Sequence, residues 1–345
     1  MSKRIKQTIS ALPVAAVLSI SADAIAGGHS QSKAAEFYKG KTVTVMVPSG
    51  LGATLGLYGR LTTEHLGKHI PGNPNVIIQS RPGGGGTKGA AYAYNAAPKD
   101  GTYIAEALAP SVLAPLLRKM KFDASKFQWL GSITPRPAVI SVWHKAPVST
   151  LAEAQKTEVI MGSTGLGSET YLAPTLLNHI AGTKFKIVKG YKGGAKINKA
   201  MEGGEVHGRM NYWSGWTAGK PTWVANNKLN HLASYGGEIA ALPNIPKLIN
   251  IAKSAEEKAM VRFLEVAPRI GMGFWVHPEV PKDRVAALRK AFMAMLNDDK
   301  FLADAKKRNA PVNPVEGATL NKLVAEAYAT PKPTIAKLKM VLGFK

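Results

Sequence analysis

From Thr42 to Val47 the chain first alternates polar and apolar residues and then runs apolar, TVTVMV, which predicts a strand buried on at least one face. Pro48 stops the ladder and Gly50, Gly52 and Gly56 free the backbone. Leu57, Tyr58 and Leu61 then begin helical spacing. The unit is strand, glycine loop, helix. It recurs where Val159-Ile160-Met161 runs into Gly162-Ser163-Thr164-Gly165-Leu166-Gly167-Ser168-Glu169, and the loop cores Ser49-Gly50-Leu51-Gly52 and Thr164-Gly165-Leu166-Gly167 differ by one methyl group. The same patterning predicts strands over 76–78, 102–107, 139–143, 185–188, 206–210 and 270–276. Helices are predicted over 88–95, 150–155, 169–180, 196–202, 282–296, 300–309 and 319–328, with Pro174 in the first turn of its helix. Strands and helices that alternate in this way predict α/β lobes, and the repeated unit predicts two of them.

Each glycine loop leaves N–H groups unpaired at the positive end of a helix dipole, where an anion can sit. One such loop is equally well an ordinary βα turn in which glycine eases packing, whereas a matched pair aimed at a shared cleft points to ligand binding. Two further loops have the same character. Arg81-Pro82-Gly83-Gly84-Gly85-Gly86-Thr87 holds four consecutive glycines, read either as a mobile loop or as close approach of backbone to a ligand. Gly190-Tyr191-Lys192-Gly193-Gly194 sets Tyr191 between glycines, so its ring and hydroxyl are placed to reach a ligand. Trp213, Trp216 and Trp223 are read as core residues.

Composition adds a compartment. Lys3, Arg4 and Lys6 precede an apolar run over 11–20 and the small-x-small site Ala24-Ile25-Ala26, the pattern of a secretory leader over 1–26 cleaved after Ala26. The 45 basic and 22 acidic residues give a formal charge of +23, a field that draws small anions toward a cleft. The basic residues are dispersed, without zinc-finger spacing or a basic arm, so nucleic acid is not the expected partner. The absence of cysteine excludes disulfides, thiolate metal sites and cysteine nucleophiles. There is no GxxxxGK[ST] and no GxSxG. His65 and His69 have a spacing that can bind zinc but lack the HExxH order and enclose Gly67, so they are read as surface histidines. The loop from Gly50 to Gly56 leaves open an exported nicotinamide-dependent oxidoreductase, although Gln79, Ser80 and Arg81 stand where an acidic residue would close the second strand.

Taken in order, several stretches resemble the Bug-type solute receptors of tripartite tricarboxylate transporters. They are Tyr38 to Val43, the first loop through Arg60, Arg81 to Gly86, Ala97 to Thr102, Gly162 to Ser168, Gly190 to Gly194 and Gly204 to Gly208, and the similarity runs from about residue 37 to the end. The resemblance implies a two-lobed periplasmic binding protein, a Venus flytrap of type II with two crossing segments. Lobe 1 would comprise 37–142 and 269–345, and lobe 2 would comprise 143–268. It implies a monomer without enzymatic activity, cofactor or metal that holds a small carboxylate through backbone amides, small hydroxyl residues and water. The partners would be large and small inner-membrane permease subunits or a periplasmic sensor domain. Carried onto this chain, the first-lobe contacts are Ser49, Gly52, Ala53, Thr54, Gly84, Gly85 and Thr87. Those of the second lobe are Ser163, Thr164, Gly167, Ser168, Tyr191, Gly193 and Gly194. Where such receptors usually carry an aspartate shortly after the loop glycines, this chain has Gly56, which removes an acceptor for an amino or hydroxyl group of the ligand.

Overall fold

A computed structural model describes residues 33–52 and 54–344; the leader, its cleavage site and Ala53 lie outside the described residues. Two sheets organise the molecule. The six-stranded sheet has the order β11-β4-β10-β3-β1-β2 and is built from β1 (Thr42–Val47), β2 (Asn75–Ser80), β3 (Tyr103–Glu106), β4 (Gln128–Ser132), β10 (Gly273–Val276) and β11 (Val315–Glu316). The five-stranded sheet has the order β7-β6-β8-β5-β9, from β5 (Ala138–Trp143), β6 (Val159–Ser163), β7 (Phe185–Lys189), β8 (Gly208–Tyr212) and β9 (Leu229–Tyr235). The sheets repeat one plan. A parallel trio, β2-β1-β3 or β7-β6-β8, is joined by one antiparallel strand, β10 or β5. In each sheet that antiparallel strand is the one by which the chain arrives from the other sheet.

This corrects the expected boundary after residue 142. Residues 138–143 do not leave the first lobe. They pair with β8 (Ala138 opposite Tyr212) and with β9 (Ala138 opposite Tyr235) as a central strand of the second sheet. The first crossing is therefore the short segment 133–137. The second follows α6 (Ala255–Ile270), and the two are tied together: Ile133 N donates to the Met272 carbonyl (2.9 Å), Met272 N to that of Thr134 (3.0 Å) and Arg136 N to that of Pro268 (2.7 Å).

Helices cover both faces of each sheet. In sheet one α1 (Thr54–Leu66), α7 (Lys282–Leu296) and α8 (Asp299–Lys307) lie over one face, around Val43, Val45, Leu61 and Phe292. The opposite face belongs to a core running through both lobes. There α2 (Thr87–Asn95), α3 (Pro110–Leu117), α6, α9 (Gly317–Tyr328) and α10 (Lys332–Val341) meet α4 (Glu169–Ala181) of the second lobe. The second sheet's other face packs on α5 (Gly194–Glu202) and on Trp216 and Trp223, both buried. The apolar periodicity gave α7 residue for residue. Pro174 sits in the second turn of α4, so the Thr170 carbonyl lacks the donor it would have at i+4. His65 and His69 serve separate carboxylates, Asp304 and Asp298, each at 3.1 Å. Asp298 also caps α8, accepting from Lys300 N. None of the helices among the described residues is long and apolar enough to cross a membrane.

Candidate functional site

The carboxyl ends of the parallel strands from both sheets point at one cavity of about 620 Å³. Three glycine loops supply its walls. From the first sheet, the loop after β2 brings Gly84, Gly85 and Thr87. From the second, the loop after β6 brings Thr164, Gly165, Gly167 and Ser168, and the loop after β7 brings Gly193 and Gly194. Gly83, Gly84, Gly85 and Gly86 all have positive φ (125°, 59°, 63° and 88°), a turn that other residues adopt only with strain. The Thr87 hydroxyl closes it by donating to the Gly84 carbonyl at 2.7 Å.

The loop after β6 is organised around Thr170. Its Oγ1 accepts from Thr164 N (3.0 Å) and lies 3.2 Å from Ser163 Oγ and 2.5 Å from Ser168 Oγ. Ser168 stands at the start of α4 without a side-chain capping bond. The first N–H groups of α4, those of Glu169 and Thr170, therefore have no intrahelical acceptor beside the cavity. α5 likewise is preceded by Gly193 (φ 99°), which supplies no side-chain cap.

Eight of the residues named from sequence line this wall: Gly84, Gly85, Thr87, Thr164, Gly167, Ser168, Gly193 and Gly194. Ser163 lies just behind it, fully buried, and accepts from Gly165 N at 3.1 Å. Tyr191 is turned aside. Its hydroxyl donates to Glu205 at 2.5 Å, and burial together with that carboxylate pushes it up to about 12. Ser49, Gly52 and Thr54 contribute nothing to the wall. Their loop folds back on α1 instead: Arg60 Nη1 donates to the Leu51 carbonyl at 2.6 Å, and a Cβ at Gly56 would overlap the Leu51 backbone. The residue at the family's aspartate position is thus a close contact between loop and helix.

Sequence reasoning missed the charged groups of the cavity: Glu169, Arg118 and Arg209. Glu169 is 4% exposed and accepts from the hydroxyls of Tyr212 and Tyr235, the latter at 3.2 Å. Burial pushes its carboxyl up to about 7, against the pull of those two hydroxyls and of Arg136. Arg136, from the first crossing, stacks over the Tyr212 ring with Cζ 3.9 Å from the centroid. On its first-lobe side lies Glu106, buried with neither oxygen hydrogen-bonded and held well above the usual carboxylate range by desolvation. Arg136 thus acts on two buried carboxyl groups, Glu169 and Glu106, that desolvation biases toward their neutral form, and of the three only Glu169 lines the cavity.

The family model described as tripartite tricarboxylate transporter family receptor matches residues 60–340. A UPF0065 protein of Bordetella bronchiseptica is 26% identical over 178 residues, spanning 50% of this chain and about half, 52%, of that relative. Among solved structures, a TctC solute binding protein from Polaromonas superposes with a TM-score of 0.65 at 21% identity, covering 87% of this chain and 99% of that one. A Rhodopseudomonas palustris protein solved with adipate superposes with a TM-score of 0.63 at 21% identity, covering 88% and 98%. The shared fold accounts for the two sheets and their crossings, and the family match extends over most of the length: the chain belongs to the tripartite tricarboxylate transporter receptor family.

Proposed function

We propose that this chain is a periplasmic receptor that holds a small carboxylate between its lobes and hands it to large and small permease subunits, without chemistry on the ligand. The observation that carries the reading is the wall of the 620 Å³ cavity. Donors converge on it from both lobes: the glycine loops, the starts of α4 and α5, the hydroxyls of Thr164 and Ser168, and two arginines. Its one carboxyl, Glu169, is already engaged by two tyrosines. Donors of this kind form charge-assisted bonds with a carboxylate, stronger than neutral ones, and closure of the lobes strengthens them by excluding water. Adipate in the Rhodopseudomonas palustris protein is a ligand of the same chemistry. Export through a leader cleaved after Ala26 belongs to this reading, and the mass of the mature protein checks it.

Thermal unfolding of the mature protein against mono-, di- and tricarboxylates, with a dinucleotide as control, tests the binding. A ligand at about a hundred times its dissociation constant adds roughly 2.7 kcal/mol and raises the transition by a few degrees. A response to the dinucleotide alone would replace this reading with the oxidoreductase.

A further inference from the structure

The cavity wall holds a charge that the fold leaves without a counter-ion. Arg209 lies on β8 and is only 7% exposed. Its Nε donates to the Met210 carbonyl (2.9 Å), Nη1 to Asn198 Oδ1 (3.1 Å) and Nη2 to Asn211 Oδ1 (3.0 Å). All three acceptors are neutral, and among the described residues Arg209 forms no ion pair. A buried guanidinium without a partner charge is strongly unfavourable. Yet the fold makes room for this one: a Cβ at Gly194, the first residue of α5, would overlap both terminal nitrogens. Three of the five N–H groups of a guanidinium are spent on orientation, and the other two remain for a ligand in the cavity that Arg209 lines.

A second arginine reaches the same cavity from the first lobe. Arg118 follows α3, is exposed, and makes no ion pair among the described residues. Its Nη2 lies 3.5 Å from where a Cβ at Gly167 would stand, so it bridges from one lobe to the glycine loop of the other. The two differ in kind. Arg209 is fixed by three hydrogen bonds, whereas Arg118 is free to follow the length of what it binds.

We infer that Arg209 and Arg118 are the specificity-determining residues of this site. Arg209 pairs directly with one anionic group of the ligand inside the second lobe, and Arg118 pairs with a second anionic group from the first lobe as the lobes close. This rests on the reading of the cavity as a carboxylate site and adds to it which side chains count the charges. The site then selects a dianion over a monoanion of equal length, and the ordering cost is low on the side where Arg209 is already held.

The test is calorimetry of the mature protein with dicarboxylates from succinate to suberate and monocarboxylates from butyrate to octanoate. The best dicarboxylate is expected to bind roughly tenfold to a hundredfold more tightly than the monocarboxylate of its length. Arg118→Gln should weaken dicarboxylate binding far more than monocarboxylate binding and so remove most of that preference. Arg209→Gln should weaken both series, and so should Gly194→Ala, which displaces the guanidinium without touching its charge and guards against misfolding of the Arg209 variant. A preference that survives Arg118→Gln, or binding that survives both Arg209→Gln and Gly194→Ala, overturns the inference. Failure of the unaltered protein to bind any member of either series overturns the carboxylate reading itself, and this inference with it.

Discussion

The loops Ser49-Gly50-Leu51-Gly52 and Thr164-Gly165-Leu166-Gly167 carry almost the same four residues and follow corresponding strands of corresponding sheets, yet only the second lines the cavity. The difference arises downstream. After the second loop comes Thr170, whose hydroxyl gathers Ser163, Thr164 and Ser168 into one knot and holds the loop open at the start of α4. After the first comes Gly56, whose missing side chain lets the Leu51 carbonyl fold against α1, where Arg60 pins it. A glycine loop is a permission. The first turn of the next helix decides whether the freed backbone faces a ligand or rests on that helix.

The matched glycines give the largest contrast. Gly167→Asp sets a carboxylate beside Arg118 and inside an anion site, and like-charge juxtaposition of this kind is expected to weaken carboxylate binding roughly a thousandfold. Gly52→Asp meets nothing within 4 Å and borders no part of the cavity wall, so affinity should stay within about twofold of the starting value. Titration of both variants measures the difference. Equal losses would put the first loop back in the site.

The next contrast is acidic. α4 begins with the buried Glu169, whereas α1 has no acidic residue in its first turn. Folding raises the Glu169 carboxyl from its ordinary 4.5 to about 7, so between those values the folded chain holds a proton that the unfolded chain has released. The stability this contributes is complete below about pH 4.5 and is lost as pH rises through about 7, a change of order 3 kcal/mol. Glu106 and Glu265 are raised in the same direction, which makes the comparison with Glu169→Gln the informative one. Denaturant unfolding between pH 4.5 and 8 should show a decline that is smaller in the variant than in the unaltered protein by the share of Glu169, while the part due to Glu106 and Glu265 remains in both.

Thr170→Val keeps the volume and removes the knot. Thr164 N loses its acceptor, and the expected loss is about 1–3 kcal/mol of stability, with weaker carboxylate binding because the loop is no longer held. The first loop has no counterpart to this hub, since Thr62 and Thr63 spend their hydroxyls on the Tyr58 and Gly59 carbonyls of their own helix.

Much of this was legible in the chain. The loop after β2, the loop after β6 and the end of the loop after β7 declare themselves through glycine, because positive φ and close approach need it. The charged groups did not. Glu169 reads as an ordinary acidic residue in a helix's first turn, and only the fold shows that Tyr212 and Tyr235, 43 and 66 residues away, bury it. Arg209 left one trace, a cation inside the strand-like run Val206 to Met210, where an apolar residue is expected. The place of β5 was hidden for another reason. An apolar strand carries no mark of which sheet it joins, and that is settled by its pairing with β8 and β9, up to about a hundred residues later.

The smallest effect tests the cause assigned to the first loop. Gly56→Ala adds one methyl group where the Leu51 backbone already stands, and overpacking of that kind opposes folding by about 1–3 kcal/mol. Against it, alanine is the better helix former by about 1 kcal/mol, and position 56 lies inside α1. The two terms leave a net loss of about 0–2 kcal/mol, read from the denaturant midpoint at constant slope. Carboxylate affinity should not change, because the loop that shifts is not part of the cavity wall. A variant more stable than the starting protein would mean that the loop does not rest on the helix. The glycine would then be a lost ligand contact, and the first loop would be free to act as the second one does.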